Sequence, residues 1–328
     1  MAGVAKRDDL AMGDAVIGST GFVGGHLLRQ HAFAASFNSR NICKAAGEAF
    51  HTVVCAAAPG SMFQANRFPD RDQAQIDALI DSLSTIDAQR FVLISSIAVL
   101  ADCAGQDETM SSFETGLAYG RNRRALERFC VEHFSKCLIV RIPALFGEGL
   151  KKNFVFDILN PMPSMLARAR LTELSDRLPV RLRDGLSGIY SWDDGLELFV
   201  IDREALGSTG QRAAYDAAVT ELGLSAIQFT HPDSSFQYYD MTRLWADIAL
   251  CLDHGLGIVH LAPEPLPARE VFAALTGGVM APNSARLHRE DMRTAYAGLF
   301  GRDGVYIADA DVTLEKLKRF AANLWAHA

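Results

Sequence analysis

The heptapeptide Gly18-Ser19-Thr20-Gly21-Phe22-Val23-Gly24 directly follows the apolar run Ala15-Val16-Ile17. A buried strand that ends in a glycine-rich turn and restarts as a helix has few three-dimensional solutions. The chain must reverse sharply, and a ligand's pyrophosphate must be able to approach the bare backbone; glycine permits both. The helix expected from Phe22 to about Gln30 would aim its free N–H groups and positive dipole end at those phosphates. Turns of this kind also serve strand–helix packing alone, so the glycines by themselves leave dinucleotide binding open.

The chain of 328 residues, 49% hydrophobic and 22% charged, is long enough for one large globular domain or two modest ones. A net charge of −7 argues against a general nucleic-acid or anionic-membrane surface. The six cysteines (Cys43, Cys55, Cys103, Cys130, Cys137 and Cys251) form no C-x-x-C pair, and a reducing, cytosolic compartment is expected. Residues 1–13 lack the apolar core of a signal peptide and read as a disordered tail. No apolar stretch reaches the roughly 18–20 residues of a membrane span. His26, His254 and His260 have no Cys, Asp or Glu at ligand spacing, so they read as structural residues and no metal is expected.

Short apolar runs at 33–38, 52–57, 91–95 and 137–141 alternate with helical patterns, among them Ile76, Leu79, Ile80, Leu83 and Ile86, then Leu126, Phe129, Cys130 and His133. This alternation predicts an α/β fold, a Rossmann-like doubly wound parallel sheet, over residues 14–150. Residues 39–51 leave room for barely one crossover, so a customary strand or helix is trimmed there. Residues 151–328 read as a smaller substrate-binding region that returns one strand, Gly257 to Leu261, to the main sheet. Within it Met165–Leu174 and Gln211–Leu222 read as amphipathic pieces. Phe236 to Asp240 reads as core packing, and Trp192-Asp193-Asp194 as an exposed turn.

Two segments carry chemistry. The strand at 91–95 runs into Ser95-Ser96, which places hydroxyls at the C-terminal edge of a parallel sheet, where open α/β folds bind ligands. Tyr119 and Arg123 follow on the start of a helix, four residues apart and on one face. A cation there would stabilise a phenolate and lower the tyrosine pKa from near 10. Ser96 would hydrogen-bond a substrate oxygen while Tyr119 exchanges its proton, which supports hydride transfer at a carbinol or carbonyl carbon.

In this order and spacing the chain resembles the extended short-chain dehydrogenase/reductase family, with its nucleotide-sugar epimerases, dehydratases and keto-reductases. The resemblance rests on the T-G-x-x-G turn at Thr20 to Gly24, the small-residue strand end Ala56-Ala57-Ala58, Ser95-Ser96, the tyrosine helix with Glu127, and Arg141 to Gly147. It implies an NAD(P)-dependent enzyme with Ser96, Tyr119 and the residue at Arg123 as its catalytic set. It places the cofactor on Gly18 to Gly24, Asn38, Ser39, Arg40, Ala56 to Ala58, Ser95, and the backbone of Ile142 and Pro143. It places a nucleotide-sugar substrate by Ala144, Lys152 and Asn153, and allows a homodimer through helices near 70–87 and 119–135. The family pattern is Y-x-x-x-K, and Arg123 stands where lysine belongs; arginine supplies charge but cannot relay a proton. That departure keeps a second reading open: a catalytically silent NAD(P)-binding sensor or assembly protein. Reduction of a non-sugar carbonyl fits the same residues. No acid ends the second strand, where NAD-preferring sites usually carry one. Arg40 there would hold a 2′-phosphate and tilts the expectation towards NADP over NAD.

Overall fold

The apolar runs of the N-terminal half form parallel strands because helices cover both of their faces. The computed structural model describes residues 12–325, so the expected tail at 1–13 lies almost wholly outside the described residues. In chain order the elements begin β1 (Ala15–Ile17), α1 (Phe22–Gln30), β2 (Ala35–Phe37), β3 (Ala49–Cys55), α2 (Met62–Arg67), α3 (Pro69–Leu83), β4 (Asp87–Ser96), α4 (Ala118–His133), β5 (Cys137–Ile142) and β6 (Ala144–Phe146). They continue with α5 (Phe154–Leu159), β7 (Met165–Leu166), α6 (Arg168–Arg177), α7 (Val180–Arg183), α8 (Leu186–Ile189), β8 (Tyr190–Asp193), β9 (Leu198–Ile201), α9 (Arg203–Ser208), α10 (Arg212–Glu221) and β10 (Ser235–Phe236). The last are β11 (Tyr238–Asp240), α11 (Leu244–Asp253), β12 (Ile258–His260), β13 (Leu266–Pro267), α12 (Ala268–Thr276) and α13 (Ala310–Trp325). None of the described helices is long and apolar enough to cross a membrane.

Two compact units result. The first takes in 1–149, 237–264 and 290–313; the second takes in 150–236, 265–289 and 314–328. The first unit holds a six-stranded parallel sheet in the order β12-β5-β4-β3-β1-β2. Strand order reverses beside β1, which opens a crevice at the carboxyl ends of β1 and β3. The chain crosses from β2 to β3 through residues 38–48 with a single 3₁₀ turn, Ile42–Ala45, and no α-helix. The short connection in the sequence thus corresponds to a missing crossover helix.

Alternation along each strand divides the core. Val53, Cys55, Phe91, Leu93 and Ile139 face Ile76, Leu79 and Leu83 of α3 and Leu126 and Cys130 of α4. Val16, Val54, Val92, Leu138 and Val140 face Leu27 of α1 and Leu244 and Ile248 of α11. Burying each such aliphatic side chain contributes about 1.5–3 kcal/mol. The second unit has its own core, including Met162, Leu174, Leu182, Ile189, Tyr215 and Val219, beside the three-stranded sheet β7-β9-β8.

Two expectations need correction. The second strand is Ala35–Phe37, shorter than 33–38. Phe33 instead packs edge-on against His31 and Trp245, and the Asn38 N–H turns to Asn41 Oδ1 at 2.7 Å. Met165–Leu174 is not one amphipathic piece: Met165 and Leu166 pair with Val200 and Phe199 as β7 before α6 begins at Arg168. Tyr238 and Tyr239 are core residues, and Trp192 is exposed on β8.

The row of side chains facing α4 turns polar one step beyond Leu93, Ile139 and Ile258. Ser95, Arg141 and His260 sit side by side in register on β4, β5 and β12, and all three are buried. His260 Nδ1 lies 2.9 Å from the Arg293 carbonyl and Nε2 lies 3.2 Å from Arg141 Nη1. These partners assign the neutral tautomer with the proton on Nδ1. Burial, with Arg141 adding to it, holds His260 below its ordinary 6.5. The unfolded chain therefore takes up this proton at higher pH than the native one. The stability His260 contributes is complete above pH 6.5 and is lost as pH falls towards the native value, with a slope approaching about 1.4 kcal/mol per pH unit. Urea unfolding of wild type and His260→Gln between pH 7.5 and 5.5 should show the two stabilities converging as pH falls. Parallel curves would remove His260 from the acid response.

Candidate active site

The glycine turn is built at distances that exclude side chains. Gly18 has φ +92°, and a Cβ on it would lie 2.5 Å from the Ala56 carbonyl oxygen; one on Gly24 would lie 2.1 Å from the Gly18 oxygen. Ala56, Ala57 and Ala58, just past β3, thus border the turn at the point where strand order reverses. The N–H groups of Gly18 and Ser19 donate to the Phe37 carbonyl at 2.8 and 2.9 Å, and that of Gly21 donates to Gly18 at 3.0 Å. Within the turn, Thr20 is exposed. Donors of the first turn of α1, Phe22 and Val23, have no intrahelical acceptor. The N-cap, Gly21, supplies no side-chain cap, and the first turn holds no acidic residue. A bare, positively polarised helix end behind a glycine turn fits the pyrophosphate of a dinucleotide. At the end of β2, Asn38 Oδ1 accepts from the Arg40 N–H at 2.9 Å, and Ser39 and Arg40 stand exposed.

Ser96 caps the 3₁₀ turn Ile97–Val99 by accepting the Ala98 N–H at 3.2 Å. The first turn of α4 is pressed against this segment: a Cβ on Gly120 would fall 2.0 Å from the Ala98 oxygen. The fold thereby brings the half-buried Ser96 and Tyr119 to the same carboxyl edge of the sheet. Asn66 of α2 accepts the Tyr119 N–H at 2.9 Å, which satisfies one of the helix's orphan donors. Ser95 takes a different position from its neighbour: its buried hydroxyl donates to Glu127 Oε1 at 2.6 Å.

Arg123 is 3% exposed and tightly held. Nη1 donates to Asp72 Oδ2 at 2.5 Å and to the Tyr119 carbonyl at 3.3 Å, and Nη2 donates to the Pro59 carbonyl. Its Nε is buried without a partner among the described residues. The guanidinium carbon lies 4.0 Å from the centre of the Tyr119 ring. Position 123 therefore presents its charge to the face of the tyrosine, as a cation–π contact, and its two Nη groups to the protein. Asp72, Asn66 and Pro59 are absent from the sequence-based site. Asp72 had a legible signal: it shares the buried face of α3 with Ile76, Leu79 and Leu83, and an unpaired carboxylate there would be costly. Asn122 Nδ2 also donates to it, at 2.9 Å.

Ile142 ends β5 opposite Ser96, Pro143 is buried, and Ala144 pairs with Tyr238 through β6 and β11. Lys152 and Asn153 belong to the second unit. Lys152 is exposed, and Asn153, at φ 109°, caps α5 by accepting the Phe156 N–H at 3.1 Å. Among the described residues no cluster of three or more His, Cys, Asp or Glu is arranged to hold a metal.

Residues 35–192 match the sequence model of the NAD dependent epimerase/dehydratase family. Over that stretch, just under half of the chain, the sequence is similar to this family. The match begins downstream of the glycine turn, and the fold extends the likeness to nearly the whole chain. RMD from Pseudomonas aeruginosa complexed with NADPH is similar at TM-score 0.57 and 16% identity, covering 96% of this chain and 100% of that one. The Bacillus anthracis dTDP-4-dehydrorhamnose reductase in complex with NADP is similar at TM-score 0.58 and 14% identity, over 96% and 100%. The Methanobrevibacter ruminantium UDP-N-acetylglucosamine 4-epimerase in complex with UDP-N-acetylmuramic acid is similar at 0.61 and 11%, over 97% and 99%. At these identities the likeness is one of fold. No curated protein matches the chain.

Removing one partner of a buried ion pair leaves an uncompensated charge. Asp72→Ala should lower unfolding stability by about 3–5 kcal/mol, while Asp72→Asn, which keeps a hydrogen-bonding oxygen, should cost less. Urea denaturation at pH 7 checks this, and an Asp72→Ala loss below about 1 kcal/mol would mean that Arg123 readily finds water instead.

Proposed function

We propose that the chain is an NAD(P)-dependent oxidoreductase or epimerase acting on a carbon of a nucleotide-activated sugar, with NADP the favoured cofactor. The observation that carries this reading is the packing of Gly120 on Ala98, which sets the Ser96 exit and the Tyr119 turn against each other. A bound nicotinamide supplies a hydride acceptor or donor. Tyr119 exchanges a proton at its phenolic oxygen with the substrate hydroxyl or carbonyl, and Ser96 Oγ orients that same oxygen. Arg123 holds a fixed positive charge on the ring face and, being always protonated, relays no proton. The first turn of α1 holds the pyrophosphate, Arg40 the 2′-phosphate, and the backbone of Ile142 and Pro143 flanks the nicotinamide. Lys152 and Asn153 are assigned to the sugar diphosphate. The nucleotide sugar named for the Methanobrevibacter ruminantium epimerase supports that substrate class.

One observation favours the second reading, a silent NAD(P)-binding sensor or assembly protein. The Nη groups at the usual lysine position are engaged by Asp72 and Pro59. A fluorescence titration with NADPH and NADH, followed by turnover assays with UDP-N-acetylglucosamine and dTDP-4-dehydrorhamnose, separates the two. For an enzyme, Tyr119→Phe should lower kcat about 10²–10⁴-fold and leave NADPH affinity within about twofold. Cofactor binding with no turnover favours the sensor, and binding of neither cofactor overturns both readings. In the same titration Arg40→Ala should weaken NADPH about tenfold and leave NADH unchanged.

A further inference from the structure

The mechanism above makes no use of Glu290, a partly buried acid. Glu290 lies in an extended segment of the first unit whose next residue, Asp291, bridges Ala104 in the loop that leaves β4. Successive side chains of an extended segment point in opposite directions. Met292, on the same side as Glu290, is fully buried and packs in one cluster with Ile97 and Cys103. Ile97 directly follows Ser96. From the other side, Glu290 Oε2 accepts the Gln237 N–H at 3.2 Å. Gln237 is wholly buried and clamped: its Nε2 donates to the carbonyls of Pro263 and Met292, and its Oε1 accepts the Met292 N–H. It immediately precedes Tyr238, which pairs with Ala144, so it stands beside Pro143 in the β6–β11 register. The Glu290 carboxyl is therefore held where the exits of β4 and β5 meet.

We propose that Glu290 is an ionisable member of the nicotinamide end of this site and links cofactor oxidation state to proton uptake. The inference rests on the proposed cofactor placement, with Ile142 and Pro143 beside the nicotinamide. The oxidised ring carries a positive charge and the reduced ring none, so a carboxylate there favours the oxidised cofactor and a carboxylic acid is indifferent to the difference. Although part of the residue stays exposed, burial pushes the Glu290 carboxyl up to about 7. The change of charge thus falls near neutral pH. A titratable group facing it across the cluster is Cys103, whose thiol is pushed up to about 12 by burial, with Glu290 and Asp102 adding to it. On its own segment, Asp291 and Arg293 are paired with each other, and Asp291 accepts from the Tyr306 hydroxyl.

The test needs cofactor binding alone. NADP⁺ and NADPH affinities are measured from pH 5.5 to 8.5 on the full chain, wild type and Glu290→Gln. The wild-type preference for NADP⁺ over NADPH should rise about three- to tenfold through a midpoint near 7, and Glu290→Gln should flatten it. A wild-type preference that is flat with pH, or equally steep in Glu290→Gln, overturns the inference and leaves the cofactor site standing. Failure to bind either form overturns both together. Carbon-13 NMR of glutamate carboxyls in the wild type gives a readout free of mutation. One resonance titrating near 7 should move to lower pH with NADP⁺, and no such movement counts against the proposal.

Discussion

The ion pair between Glu127 and Arg141 holds the tyrosine helix to the sheet. Both side chains are at most 1% exposed. Taking two charges out of water costs several kcal/mol each, which is recovered only when every lone pair and proton finds a partner. Here Glu127 Oε1 accepts from Ser95 and Arg141 Nε, and Oε2 accepts from Arg124 and Arg141 Nη2. Arg141 Nη1 continues to His260, whose N–H reaches Glu108 Oε1 at 2.6 Å. One carboxylate on α4 is thereby tied to β4 and β5 and, through Arg141, to β12. Tyr119 stands eight residues earlier on the same helix, about 12 Å along its axis at 1.5 Å per residue. A shift of α4 by one turn would strand these buried charges, so the position of Tyr119 follows from a network that never touches it.

Arg123 repeats the pattern closer to the tyrosine. A lysine reaches outward on a flexible stem as a point charge, whereas a guanidinium is a planar fork that suits bidentate partners and stacking on aromatic faces. This chain supplies a partner in Asp72, an acceptor in the Pro59 carbonyl, and an aromatic face in Tyr119. Arg123 is therefore matched by its surroundings. A lysine placed here would have fewer donors for Asp72 and Pro59 and no plane to lay on the ring.

The sequence was most legible where one local rule acts alone. Helix α1 begins and ends at the expected residues, and the buried strands fall within a few residues of the apolar runs, because continuous hydrophobic stretches between turn signals admit few other states. The short crossover at 39–51 was legible from length. Strand β2 was overestimated because Phe33 is apolar yet packs on His31 and on Trp245, the latter more than two hundred positions away. In the candidate site, Ser96 and Tyr119 were legible as residues that the fold brings to one sheet edge. The holders of Arg123 were not, because Pro59 and Asp72 lie more than fifty residues before it and only the fold unites them. Glu290 was hidden for the same reason: nothing near it in the chain marks its bond to the Gln237 N–H, fifty-three residues earlier.

Charge at the two ends of the crevice is arranged differently. Near Tyr119 each fully buried cation meets a carboxylate, Arg123 with Asp72 and Arg141 with Glu127, so the fully buried charge there is balanced, and the part-exposed Arg124 shares Glu127. At the β1–β2 end the α1 helix terminus has no acidic residue in its first turn, and Arg40 is exposed and makes no ion pair among the described residues. A ligand with a charged phosphate portion and a neutral or weakly charged reacting portion is oriented by that contrast before any close contact forms, since unpaired charge attracts over a Debye length while balanced pairs do not. Arg123 preserves this polarity, because Asp72 compensates its charge. An arginine at 123 without Asp72 would have placed a second unbalanced charge at the reacting edge and blurred the distinction between the two ends.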